Sequence, residues 1–279
     1  GGESYVSKDT YLAPIKADAP VITNVTIDKT SSTAGIVTIK WRSPFEIDKT
    51  QFPPPYRYTV YRAEGFSGVQ KITKANQGFL TDSVFVDSGI NTEETVFNYR
   101  IVLYDNNNIA ADTSETASTV RLETNPQFRE IELNWNPDVP WSNIAQDYPY
   151  HLIYRGRVAD TESQLVLIDS VNVNEKFYHY IDSGQYKNIP LVDTEIYCYR
   201  VMTRGVYGNP KIQEPLLNFS QIICSQPNDK EPPCKPEPDV AMQGLNCEDY
   251  INSASCAPNT FSNVLFWNRP TDPVCRTDI

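Results

Sequence analysis

The residues best equipped for chemistry are six cysteines, at 198, 224, 234, 247, 256 and 275, and two histidines, His151 and His179. Thiolates either oxidise to disulfides or hold zinc. A zinc site calls for close Cys-x-x-Cys pairs or added imidazoles; the spacing is not Cys-x-x-Cys and only two His are available, so the thiols read as disulfides, for which six cysteines allow fifteen connectivities. His179 stands three residues before Asp182 in "FYHYIDSG", a spacing that could align a general base. It alternates with aromatic residues as a strand residue does, which favours a structural role, and His151 has no motif around it. The run Asp105 to Asn108, "DNNN", offers oxygen ligands of the type calcium takes, but it falls where a strand-to-strand turn is expected. The chain has no G-x-S-x-G, no H-E-x-x-H and no phosphate-cradling glycine loop. No catalytic residue, cofactor or metal ligand is assigned.

Surface recognition is the other chemistry open to this sequence. "FPPPY" (Phe52 to Tyr56) and "NPDVPW" (Asn136 to Trp141) place Phe52, Tyr56 and Trp141 in proline-rich stretches where an aromatic ring could stack on a sugar or dock a partner. Packing of such rings against their own prolines is the commoner outcome. Asn24-Val25-Thr26 and Asn218-Phe219-Ser220 are formal N-glycosylation sequons.

The elements that must position these residues are strands. The 279 residues exceed the roughly 150 of one domain. Seventeen Tyr and twenty-one Pro against two Met favour strands and turns, hence an all-β chain. A net charge of −11 opposes nucleic acid or an anionic membrane as a partner. No stretch approaches the ~20 apolar residues of a spanning helix, so no membrane insertion is expected. A start at Gly1-Gly2 without an initiator Met or a leader suggests a processed or engineered segment.

The chain also repeats itself. "VTIKWRSP" (Val37 to Pro44) matches "IELNWNP" (Ile131 to Pro137) and "VLFWNRP" (Val264 to Pro270). "PYRYTVYRAEG" from Pro55 matches "PYHLIYRGRV" from Pro149, and a "DSG…YR" block recurs around Asp87 to Arg100 and Asp182 to Arg200. The offset of about 95 residues suits sandwich domains rather than a solenoid. Within the blocks, Val37, Ile39 and Trp41 share one strand face, as do Ile131, Leu133 and Trp135, because strand side chains alternate with period two. Two packed antiparallel sheets per copy follow.

These motifs, in this order and present twice, resemble fibronectin type III modules over about residues 18 to 229. The resemblance implies immunoglobulin-like sandwiches at 18–123 and 124–229, an extended segment at 1–17, and a linker with the first hairpin of an incomplete third module at 230–279. It implies that Trp41, Trp135 and Trp267 are core residues. It puts Tyr197 at the tyrosine corner, where its hydroxyl bonds nearby backbone. Phe97 stands at that corner in the first copy and cannot make the bond. More narrowly, residues 190 to 279 resemble cysteine-bearing repeats of large secreted surface proteins of Bacteroidota, including gliding-motility-associated and adhesin-like substrates of type IX secretion. Asp82-Ser83-Val84 and Asp169-Ser170-Val171 resemble the short O-glycosylation sequence of that group, which makes Ser83 and Ser170 candidate acceptors; the plainer reading is that both belong to equivalent strands of the repeat.

With strands assigned, the cysteines pair as Cys198 with Cys224 across the sixth and seventh strands of module two, Cys247 with Cys256, and Cys234 with Cys275. The apolar face carrying Leu265 and Trp267 is expected to be covered, since about 45 residues make a poor core alone. The junction "ASTVRLETNPQFREIELNW" lacks flexible residues and should restrict hinge motion, and "SQPNDKEPPCKPEPDV" should be an extended spacer. The sequence therefore reads as a non-enzymatic spacer or adhesive arm of a secreted or cell-surface protein. Its expected partners are other modules of the same polypeptide and a surface protein, glycan or secretion-machinery component. The alternatives are a binding module acting through its aromatic loops and an accessory region of a secreted hydrolase.

Overall fold

The computed structural model describes residues 15–67, 73–158 and 160–228, together with the backbone of 237–244 and 261–268, where Leu265 is the one described side chain. The chain divides into two compact units, Gly1–Asp229 and Lys230–Ile279. Alternating apolar residues bounded by proline and glycine turns form strands throughout. In chain order they are β1 (Val21–Lys29), β2 (Gly35–Arg42), β3 (Arg57–Glu64), β4 (Thr73–Lys74), β5 (Val84–Ile90), β6 (Phe97–Tyr104), β7 (Ala110–Thr113) and β8 (Ala117–Ser118). There follow β9 (Arg121–Gln127), β10 (Glu130–Asn136), β11 (Tyr150–Gly156), β12 (Val166–Asn172), β13 (His179–Asp182), β14 (Tyr197–Gly205), β15 (Leu216–Phe219) and β16 (Ile223–Ser225). A single helical turn, α1 (Val173–Lys176), lies between β12 and β13, and no helix among the described residues is long and apolar enough to cross a membrane.

The strands build the same sandwich twice. A three-stranded sheet β1-β2-β5 faces a five-stranded sheet β4-β3-β6-β7 with β8 also on β6; then β13-β10-β9 faces β12-β11-β14-β15 with β16 also on β14. Every pairing is antiparallel. The fold is all-β, with sandwiches of the immunoglobulin-like type. Val37, Ile39 and Trp41, and in the second copy Ile131, Leu133 and Trp135, are buried between the sheets as their alternation requires. Only Thr119 and Val120, both buried, separate β8 from β9.

Three readings change. Ser83 and Ser170 are not equivalent: Ser83 immediately precedes β5 in a three-stranded sheet, whereas the exposed Ser170 lies within β12, at the edge of a five-stranded one. The second copy is longer between its matching motifs and has a full strand where the first has only the two-residue β4. In the second unit, β17 (Glu237–Gly244) and β18 (Phe261–Asn268) form the expected antiparallel hairpin, with Glu237 opposite Asn268 and Gly244 opposite Phe261. β17 thus occupies the end of the stretch read as a spacer. Leu265 is 58% exposed, against the expectation that its face is covered. The Trp267 side chain, Cys234, Cys247, Cys256 and Cys275 lie outside the described residues.

Candidate functional site: the seam between the modules

The groups singled out for chemistry are committed to structure. His179 and Asp182 point to opposite faces of β13, and the imidazole Nε2 of His179 lies 3.0 Å from Glu132 rather than on Asp182. Asp182 is fully buried, where it accepts from Arg155 at 2.7 Å and from the Tyr199 hydroxyl at 2.9 Å. The first module repeats this anchor: Asp87 accepts from Arg62 at 2.7 Å and from Tyr99 at 3.0 Å. Burial beside each carboxylate raises the phenols of Tyr99 and Tyr199 well above their usual range, so both remain donors. Each sandwich is thereby clamped across its two sheets by one charge-assisted cluster.

His151 is fully buried on β11, stacked on Tyr178. Its Nδ1 accepts from the Trp135 indole N–H at 3.0 Å, which leaves the proton on Nε2, 3.2 Å from the Arg204 carbonyl. Burial pulls the imidazole down to about 4, so it is neutral. The "DNNN" run is a turn. Asp105 Oδ1 accepts the backbone N–H groups of Asn107 at 2.9 Å and Ile109 at 2.8 Å, and Oδ2 accepts the Asn107 side-chain amide at 3.3 Å, so both oxygens are engaged within the loop. Cys198 and Cys224 lie directly opposite on β14 and β16 and are joined by a disulfide. Tyr197 is buried, and its hydroxyl accepts the Val192 N–H at 3.0 Å, the corner bond expected of it. Phe97 holds the equivalent corner by packing, under the Arg62 guanidinium at 5.3 Å.

Of the loop aromatics, Phe52 and Tyr56 are half-buried, and the Tyr56 hydroxyl donates to the Phe52 carbonyl at 3.1 Å. Trp141, weighed as a partner-binding ring, is buried instead, edge-on to Tyr207 with centroids 5.9 Å apart, so it packs as the plainer reading had it, though against the sheet as well as its loop. Gly205 makes room for it, because a Cβ there would come within 2.2 Å of the indole. Trp141, Tyr207, Ile212 and Leu216 belong to one apolar cluster with Ile22, Trp41 and Tyr58 of the first module.

That cluster is the apolar half of a seam whose polar half satisfies β1. As an edge strand, β1 pairs with β2 on one side and would leave its other row of backbone groups unpaired. The second module supplies partners. The Ile22 carbonyl accepts from the Tyr207 hydroxyl at 2.8 Å, the Val25 N–H donates to Asn218 Oδ1 at 2.7 Å, and the Ile27 carbonyl accepts from the Arg200 guanidinium. The Phe219 N–H donates to Thr26 Oγ1 at 2.8 Å, and the Thr30 N–H donates to Glu162 at 2.8 Å. Arg200 is buried against the Phe219 ring at 4.1 Å, and that burial draws it down to about 10, while the charges of Glu162 and Asp28 act in the opposite direction. Sequence reasoning missed the seam, although Arg200 lies outward on β14 by the same period-two count that turned Tyr199 inward.

No family model matches this chain, and no curated protein does. Among solved structures, the chain is similar to the FN1–FN3 domains of chicken CNTN1, at 13% identity over 79% of this chain and 70% of that one, with a TM-score of 0.25.

Proposed function

We propose that the chain is a non-enzymatic structural segment, a spacer or adhesive arm of fibronectin type III-like modules within a large secreted or cell-surface protein. The capping of β1 supports this reading: an edge strand whose backbone is satisfied by the next module, over a shared apolar cluster, resists hinge motion between the two. The Cys198–Cys224 disulfide is in keeping with an oxidising compartment, hence with an extracellular place of work. The narrower resemblance at residues 190 to 279 extends the proposal to adhesion or gliding motility on a bacterial surface, through type IX secretion. Binding through the aromatic loops is disfavoured by the burial of Trp141. Spin labels at the exposed positions Glu64 and Ser170 in the full chain test the arm by double electron–electron resonance. One narrow distance is the expected result; a broad distribution means a hinged pair and overturns the reading.

A further inference from the structure

Across the seam, β1 and the last strands of the second module run side by side in the same direction. The Asn24 side-chain amide donates to the Leu217 carbonyl, and the Val25 N–H donates to Asn218 Oδ1 at 2.7 Å. Thr26 Oγ1 accepts the Phe219 N–H at 2.8 Å, and Thr30 Oγ1 accepts the Ile222 N–H at 2.8 Å. The partners in these four bridges stand 193, 193, 193 and 192 positions apart. A constant difference in residue number marks parallel strands, as a constant sum marks antiparallel ones. The bridges therefore form a ladder that begins at Asn24 beside β15 and ends at Thr30, just before β16 on the facing strand.

The place of these strands in the chain gives the ladder a mechanical sense. β1 is the first strand of the first module, and β16 is the last of the second. Tension drawn along the polypeptide enters β1 at its N-terminal end and leaves β16 at its C-terminal end. In parallel strands those two points lie at opposite ends of the ladder, so the strands are drawn past each other and all the bridges are strained together. Antiparallel strands would be loaded at one shared end and would unzip bond by bond. The exit is locked as well, because Cys224 on β16 is joined to Cys198, directly opposite on β14. A covalent link thus stands where the peeling of β16 would begin. Two positions along β14, Arg200 gives its guanidinium to the Ile27 carbonyl of β1. It does so while buried against the Phe219 ring, where a charge-assisted bond is shielded from competing water.

We infer that the seam is a tension clasp: pulled along the chain, the two modules hold as one unit, and load passes from β1 directly to β14, β15 and β16. The strands from β2 to β13 lie outside that path and stay unloaded while the clasp is shut. The clasp rests on the reading of the chain as an arm, and it adds what stiffness at rest does not supply, resistance along the line of pull. A seam can be rigid in the absence of force and still open at a light load if its bonds fail one at a time.

The test is single-molecule force spectroscopy on the full oxidised chain, with one handle at the N-terminus and the second placed in two ways. On a click-reactive residue replacing the exposed Gln226, just past β16, it shears the ladder. On the same residue replacing the exposed Gln213, just ahead of β15, it puts both handles at one end of the ladder, and the same bonds unzip. The first rupture should need about two-fold more force from position 226 than from position 213, since forced opening reads the barrier along the direction pulled. Thr26→Val with Thr30→Val removes two acceptors and keeps the branched side chains. It should lower the force from position 226 in a chain whose circular dichroism is unchanged. Equal forces in the two directions overturn the inference, and so does a force from position 226 that the double variant leaves untouched. Equal forces with a narrow distance between the labels at Glu64 and Ser170 would sink the clasp alone; a broad distance distribution sinks the arm reading and the clasp with it.

Discussion

The two modules share one frame and finish it differently. Both hold an Arg–Asp–Tyr anchor, but Arg155 and Asp182 are buried more deeply than Arg62 and Asp87, with side chains 12% and 0% exposed against 23% and 6%. Trp135 gives its indole N–H to His151, whereas Trp41, edge-on to Tyr58, keeps a buried indole N–H without a partner. The cross-strand site filled by Cys198 and Cys224 is occupied in the first module by Asn98 and Ser118, also directly opposite each other. The first strands diverge as well. β9 has the backbone of Leu122 clipped by its own module's Gln221, through both polar atoms of the amide, while β1 borrows partners from its neighbour. The second module thus secures its own first strand, and the first module does not.

The difference can be broken at its anchors. Asp182→Ala should strand the buried Arg155 and cost about 3 to 5 kcal/mol in urea unfolding. Asp87→Ala should cost less, because water reaches Arg62 and solvates the orphaned charge. Equal losses would show that depth of burial does not distinguish the two anchors.

Acid should separate the modules next. His151 is held neutral, with its folded value near 4 against an ordinary 6.5, so the unfolded chain takes up the proton first as pH falls. Its contribution is complete above about pH 6.5 and is lost on descending toward 4, a change on the order of 3 kcal/mol. His151→Gln, which can still accept from Trp135 and donate to Arg204, should flatten that part of the stability–pH profile. An unchanged slope in the variant would assign the acid sensitivity to other groups.

Removing the disulfide by Cys198→Ser with Cys224→Ser should cost about 3 kcal/mol, the loop-closure value for a link of 26 residues. The loss should appear as faster amide exchange along β14 and β16, while β6 and β8 of the first module keep their rates. The smallest expected effect sharpens the dependence of one module on the other. Tyr207→Phe removes one hydrogen bond from the Ile22 carbonyl and should cost about 1 kcal/mol, with exchange rising along β1, in the other module. Exchange confined to the second module would mean that the seam does not support β1.

Much of this was legible before any coordinates. Period-two alternation placed Trp41 and Trp135 in the cores, and an antiparallel turn between two strands sufficed to pair Cys198 with Cys224. The corner bond of Tyr197 was implied by the resemblance to fibronectin type III modules. These are local matters, decided by which side of a strand a residue occupies and by how far the chain runs before turning back. Trp141 lay beyond that reasoning, because a ring in a proline loop has no period to say which way it faces, and only the approach of Gly205 and Tyr207 buries it. The seam was less visible still. Its acceptors are the backbone carbonyls of Ile22 and Ile27, and a carbonyl is the same group at every residue, so nothing in the letters of β1 records that Tyr207 and Arg200, more than 170 positions away, would satisfy them. That pairing exists only once both sandwiches are folded and set against each other.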